Sequence, residues 1–126
     1  MTKPLRLLFV IADGAHARLV RRAEDAGAFV TVLTLKAHAH SGGHGRVAEG
    51  HDDAAFARTV ADAVNVETQT GRVDRLALVA PAHTLVAIQR GLTVLARGKV
   101  FRTLAKDLAK TPDHSLGDWL RPLELG

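Results

Sequence analysis

The sequence predicts an α/β domain: a mixed sheet with an antiparallel meander followed by alternating helices and strands. Three observations carry that expectation. Residues 5–37 hold three apolar or β-branched runs of strand length, separated by turn residues. The hydrophobic period then becomes helical across residues 52–70. A further apolar run of strand length follows at 76–80, with helical spacing after it. Strands joined by short turns, then strands alternating with helices, make a layered α/β architecture.

Each element has its own signal. Leu5 to Ala12, LRLLFVIA, is apolar at nearly every position, which suggests a central strand buried on both faces. Asp13-Gly14 follows at once and marks a hairpin. AHARLVRRAED alternates Ala15, Ala17 and Leu19 against His16, Arg18 and Val20, a second strand with one polar face. Asp25-Ala26-Gly27 turns the chain, and Ala28 to Ala37 forms a third strand rich in β-branched residues. From Asp52 to Thr70, Phe56, Val60, Ala63, Val64 and Glu67 fall at helical spacing. Asp52 or Asp53 can cap that helix and Gly71 can end it.

The strand Leu76 to Ala80 is apolar and stopped by Pro81. Thr84 can cap a short helix whose Leu85, Ile88 and Leu92 point inward, with Gly91 and Gly98 limiting its length. Residues 99–108 fit a strand and a helix equally well. A last helix starts near Thr111-Pro112-Asp113, Thr111 capping and proline taking the first helical position. Leu116, Trp119 and Leu120 form its apolar stripe, with Trp119 read as a core anchor. The order β-β-β-α-β-α-(β)-α is that of ribonuclease H-like domains.

Composition bounds the function. The chain has 126 residues and is 47% hydrophobic, enough for one domain over residues 1–126 with its own core. Cysteine is absent, so there is no disulfide framework, thiolate metal site or cysteine nucleophile. The apolar run Leu7 to Ala12 is too short for a signal segment or a membrane span. The expectation is a cytoplasmic protein without a membrane partner.

The net charge of +4 is uneven. Residues 1–22 carry five Lys/Arg and one acid. Residues 97–110 carry another five, Arg97, Lys99, Arg102, Lys106 and Lys110, again with one acid. Such segments can merge into a phosphate-binding patch or can simply be solvated faces.

One segment stands apart. KAHAHSGGHGRVAEGH, Lys36 to His51, holds four of the seven histidines and almost no bulky side chain. It is read as a flexible His/Gly loop over residues 37–51. His38, His40, His44 and His51 could gather around Zn²⁺ or Ni²⁺, with Asp52 or Asp53 as an oxygen ligand. Their spacing matches no defined metal motif, so weak binding is expected and no cofactor is assigned. Asp13 follows a central strand, where a nuclease could hold Mg²⁺. Asp74 precedes its strand, however, and no convergent acidic set is visible. Asp13 is therefore read as a turn residue and His83 as a polar residue at a helix entry.

The pieces together resemble a bacterial family, the proteins required for attachment to host cells. LLFVIADGAHARLV is similar to that family's opening strand, Ala-Asp-Gly turn and Ala-Arg strand. LALVAPAHTLVAIQRGL and LAKDLAKTPDHSLGDWL are similar to its later strand–helix and closing segments. The resemblance favours a strand over residues 99–105. It also implies kinship with the middle domain of archaeal and eukaryotic release factors and of Pelota. There a Gly-Gly-Gln loop between the third strand and the long helix helps water cleave peptidyl-tRNA. Gly42 and Gly43 occupy the corresponding place here, and His44 stands where those relatives carry glutamine.

The resemblance implies a module that binds ribosomal RNA or tRNA, with Arg46 and the 97–110 cations on phosphate; DNA is not expected as a partner. The enzymatic alternative is peptidyl-tRNA hydrolysis at Gly42, Gly43 and His44, where two glycines open positive φ and His44 could act as a base near neutral pH. A metal-binding or protein-interaction module indirectly required for attachment is the other alternative. Nothing in the sequence indicates an oligomeric state.

Overall fold

The computed structural model describes residues 6–22, 28–37 and 53–125. Five strands and four helices lie within them. The strands are β1 (Leu7–Ala12), β2 (His16–Arg22), β3 (Phe29–Lys36), β4 (Arg75–Ala80) and β5 (Val100–Ala105). The helices are α1 (Asp53–Gln69), α2 (Ala82–Gly91), α3 (Val94–Lys99) and α4 (Asp113–Leu125). The sheet order is β3-β2-β1-β4-β5. β2 runs antiparallel to β1 and β3, whereas β4 is parallel to β1 and to β5. A meander thus builds one side of the sheet and crossover connections build the other.

Strand alternation divides the core into two layers. Leu8, Val10 and Ala12 of β1 face one layer with Leu76 and Leu78, under α1, α2 and α3. Phe9 and Ile11 face the other with Val79, under Leu116 and Leu120 of α4. This is why the β1 run is apolar throughout: the strand is central and covered on both faces. Phe9 meets Phe29 edge-to-face, with ring centroids 5.5 Å apart, a geometry that adds about 1 kcal/mol to simple burial.

α1 buries Phe56, Val60 and Val64, one residue per turn. Gly71, at φ 77°, ends it in the left-handed region as expected from the sequence. α1 and α2 approach so closely that a Cβ on Gly91 would lie 2.7 Å from the Ala61 Cβ. Asn65 ties their far ends: its amide donates to Gly91 O at 3.0 Å and its Oδ1 accepts from Thr93 N–H at 2.9 Å.

Several expectations are corrected. Thr84 does not cap α2; Pro81 holds that position without a side-chain bond, and Thr84 is buried inside the first turn. The run past Gly91 is a separate helix, α3, capped by Thr93, whose hydroxyl accepts from Ala96 N–H at 3.1 Å. Leu92 is a buried residue of the link rather than of a helix. Pro112 precedes α4, its carbonyl accepting from Ser115 N–H, so the proline is not the first helical residue. Residues 100–105 form the strand that the resemblance favoured. The polar face of β2 is not open to water, because α4 and its approach cover Arg18.

Candidate nucleic-acid interface

The two basic segments meet different fates. In the first, every described arginine pairs with a carboxylate from a distant element. Arg6 joins Asp74 at 3.2 Å, Arg18 joins Asp113 at 3.0 Å, and Arg21 joins Glu67 at 3.4 Å. Arg22 pairs with Glu124. Arg18 is the most enclosed, with its side chain 12% exposed. Its guanidinium also donates to Leu108 O at 2.9 Å and to Thr111 O. Burial pulls its pKa down while the Asp113 charge pushes it back up; an arginine stays charged throughout the accessible pH range. These residues stitch β1 and β2 to α1, α4 and the start of β4.

The second segment runs from the end of α3 through β5 to the turn before α4. Arg97 turns back on the helix pair, donating to Gln89 O and Leu92 O at 3.3 and 3.2 Å. It therefore adds a second donor to Gln89 O, which already accepts from Leu92 N–H, and supplies one to Leu92 O in the link. Lys99, the last residue of α3, is near enough to Asp74 to help lower that carboxyl's pKa, after the larger effect of the Arg6 hydrogen bonds. Arg102 and Lys106 lie farther along the edge strand and just beyond it, and Lys110 is exposed in the turn before α4. Among the described residues no carboxylate forms an ion pair with Arg102 or Lys106.

These cations lie against rings instead. Arg102 stands 5.9 Å from the Phe101 ring centroid, and Arg75 of β4 stands 6.0 Å from the same ring. The Lys106 ammonium is 4.5 Å from the Trp119 centroid. A register shift between Leu76 and Ala77 opposes Val100 and then Arg102 to consecutive β4 residues, so Phe101 is the extra residue of a bulge. Trp119 is 39% exposed and is not the core anchor expected of it. Leu116 and Leu120 hold the inward stripe, and Trp119 falls about 100° round the helix from Leu120. Sequence reasoning missed Arg75, Phe101 and Trp119 as a group. Arg75 belongs to neither basic segment, and only the parallel pairing of β4 with β5 brings it there.

The other candidate region lies at the carboxyl ends of β1 and β4. The strand order reverses between these strands, which is where open α/β sheets usually bind ligands. Asp13 acts there as the turn residue expected. Its Oδ1 accepts from the N–H groups of Ala15 and His16 at 2.8 and 2.7 Å. The His16 Nδ1 lies 3.6 Å from the same oxygen and has no hydrogen-bond partner among the described residues. Asp74 sits at the opposite end of the sheet, since it precedes β4, which is parallel to β1. The two acids are thus separated by about 20 Å of strand. Among the described residues no group of three or more His, Asp or Glu could hold a metal ion.

Gly42, Gly43, His44 and Arg46, and the histidines His38, His40 and His51, lie outside the described residues. What is described is the approach to them: Ala37 N–H donates to Ala15 O at 2.8 Å, where β3 leaves the hairpin. No described helix is long and apolar enough to cross a membrane.

A five-stranded mixed sheet with helices on both faces defines the class of protein, an α/β domain, and solved structures share it. An archaeal protein superposes over 95% of this chain with a TM-score of 0.59 at 9% identity. An archaeal translation termination factor does so over 95% with a TM-score of 0.55 at 10% identity. The chain spans 39% of the length of each. At those identities the likeness is one of fold. No curated protein matches the chain significantly in sequence. The chain belongs to the family described as protein required for attachment to host cells, which it matches over residues 36–120.

Proposed function

We propose that this protein is an RNA-binding module that associates with ribosomal RNA or tRNA. The observation that carries the reading is the row of cations along β5. Arg102 and Lys106, joined by Arg75 from β4, carry positive charge that no described carboxylate neutralises. Phosphate is the polyanion such a row suits. The fold supports the same direction, since one of the neighbours above is a translation termination factor. The meander followed by crossovers also supports calling the scaffold ribonuclease H-like. A role in attachment to host cells would then be indirect, through translation.

The test is co-sedimentation with ribosomes, and filter binding to tRNA, across a salt series. Association is expected at low salt, with the logarithm of the binding constant falling linearly against the logarithm of salt. Arg102→Gln and Lys106→Gln should each make that line shallower by about one phosphate contact. No association with either RNA at low salt would refute the reading.

Hydrolysis of peptidyl-tRNA by Gly42, Gly43 and His44 is the second reading. It is favoured by the place of Gly42, Gly43 and His44 in the sequence between β3 and α1, the position that the resemblance assigns to a Gly-Gly-Gln loop. A release assay comparing the wild type with Gly43→Ala and His44→Gln decides it. Peptide release at background level by all three proteins removes the enzyme reading and leaves RNA binding intact.

A further inference from the structure

We infer that the face formed by β5 and α4 binds unpaired RNA by stacking bases on Trp119 and Phe101, with Arg75, Arg102 and Lys106 holding the phosphates. This rests on the RNA-binding reading and names the form of RNA and the atoms that meet it. The two aromatic residues belong to one side of the sheet. Phe101 packs on the core layer that α4 covers, and Trp119 rides on α4. Leu116 and Leu120 already supply that helix's buried stripe. Trp119 is placed beside the stripe, partly exposed, with an ammonium over its face.

Phe29 provides the internal contrast. It too has two arginines near its ring, Arg22 and Arg121, each 5.7 Å from the centroid. Phe29 is only 4% exposed, however, and Arg22 is paired with Glu124. That cluster closes the core. The Trp119 and Phe101 clusters keep accessible ring surface and cations without ion-pair partners among the described residues.

Cations alone would suit any polyanion. Flat rings beside planar guanidiniums suit bases, which offer a π-face whatever their identity. A duplex hides those faces, so the unpaired strand is the form recognised. From Phe101 to Lys106 is about 16 Å of strand, a span that a few nucleotides bridge. Asp107 is the one acid of the segment, and its Oδ1 accepts from Ala109 N–H at 3.3 Å, within its own turn.

The chain has a single tryptophan, so its fluorescence reports on this site alone. The experiment titrates the full chain with a short, end-labelled oligoadenylate and with the same strand annealed to oligouridylate. Indole emission and label anisotropy are both recorded. Stacking predicts quenching by the single strand and binding to the duplex at least tenfold weaker. Trp119→Leu should weaken single-strand binding about tenfold, and Trp119→Phe should restore most of it. Lys106→Gln should make the salt dependence shallower.

If RNA binds by anisotropy while emission is unmoved and Trp119→Leu binds like the wild type, stacking is overturned and the RNA reading survives. If neither this strand nor the RNAs tested above bind at low salt, both fall. A poly-glutamate peptide that displaces the strand with equal potency at equal charge would show a general anion surface and overturn the base-stacking assignment. The quenching measurement needs no variant, so a misfolded substitution does not blunt the test.

Discussion

The meander side of the sheet and the crossover side use the same residue type in opposite ways. On the meander side, Arg18, Arg21 and Arg22 of β2 and Arg6 before β1 each reach a carboxylate on another element. On the crossover side, Arg75 and Arg102 rest against a ring and Lys106 against the indole. The difference follows from what covers each strand. β2 is interior, with α1 on one face and α4 on the other, so a long side chain there must end on a protein acceptor. β5 is an edge strand, with Arg102 half-buried against Phe101 and Lys106 exposed just beyond the strand's end. Charge on an interior strand is structural; charge on an open edge is available to a partner, and it also blunts the edge against unwanted pairing.

The sharpest way to break this comparison is to remove Arg18. Its loss removes the guanidinium donor from Leu108 O, Thr111 O and the Asp113 carboxylate, although Leu108 O still accepts from Thr111 N–H and Asp113 from the Thr31 N–H and hydroxyl. Arg18→Met should cost about 1.5–3 kcal/mol, since it deletes the charge-assisted hydrogen bonds of a mostly buried guanidinium. Arg102→Gln should change stability by less than about 0.5 kcal/mol, as surface substitutions do. Urea denaturation midpoints check both values; equal shifts for the two variants would contradict the contrast. Gly91 comes next. The crossover side is held by close helix packing rather than ion pairs, and a methyl at Gly91 would press into Ala61. Gly91→Ala should therefore destabilise by about 1–3 kcal/mol, and Ala61→Gly in the same chain should recover part of the loss. Thermal and urea unfolding of the single and double variants measure the recovery.

The contrast also explains what could be read in advance. Four of the strands, β1 to β4, and the long helix were legible because local patterning sets them: the all-apolar run of β1, the Asp-Gly turn and the four-residue spacing of Phe56, Val60 and Val64. Strand β5 was legible only through the family resemblance. Its alternation is blurred by the bulge at Phe101, so two consecutive residues depart from the expected register. α3 was hidden because Gly91, Leu92 and Thr93 read as the end of one helix rather than the hinge between two. The candidate interface was legible in part. Lys99, Arg102 and Lys106 stood out by density of charge. Arg97 stood out equally, yet it serves as a carbonyl cover within the helix pair. Density alone does not distinguish a cation with a backbone acceptor in reach from one without. Trp119 was misread because a stripe of three apolar residues leaves its angular centre undetermined until the packing partner is known.

Asn65 sharpens the comparison on a smaller scale. It clamps the α2–α3 link with neutral hydrogen bonds, where the meander side would use an arginine. Asn65→Ala should cost about 1 kcal/mol, because water can reach part of the exposed Thr93 backbone and replace what is lost. Hydrogen exchange at Thr93 and its neighbours should quicken while the β1 amides stay protected. Uniform quickening across the sheet would mean that the clamp serves global stability rather than the local link.

The smallest expected effect lies at the Arg6–Asp74 pair, which joins the meander to the crossover side. Arg6 donates to Asp74 Oδ2 through its backbone N–H at 2.7 Å and to both carboxylate oxygens through its guanidinium. The side-chain bond, then the backbone bond, hold the Asp74 pKa below the ordinary aspartate value. A group whose folded pKa is depressed contributes stability that is fully present above its unfolded pKa and is lost as pH falls through the folded value. The pair should therefore contribute at neutral pH and fade in the acid range below the ordinary aspartate titration. Both side chains are partly exposed, so the contribution is small and weakens with salt. In Asp74→Asn the stability–pH curve should be flatter across that acid window and unchanged in shape above it. A curve that differs instead near neutral pH would contradict the assignment to this carboxylate.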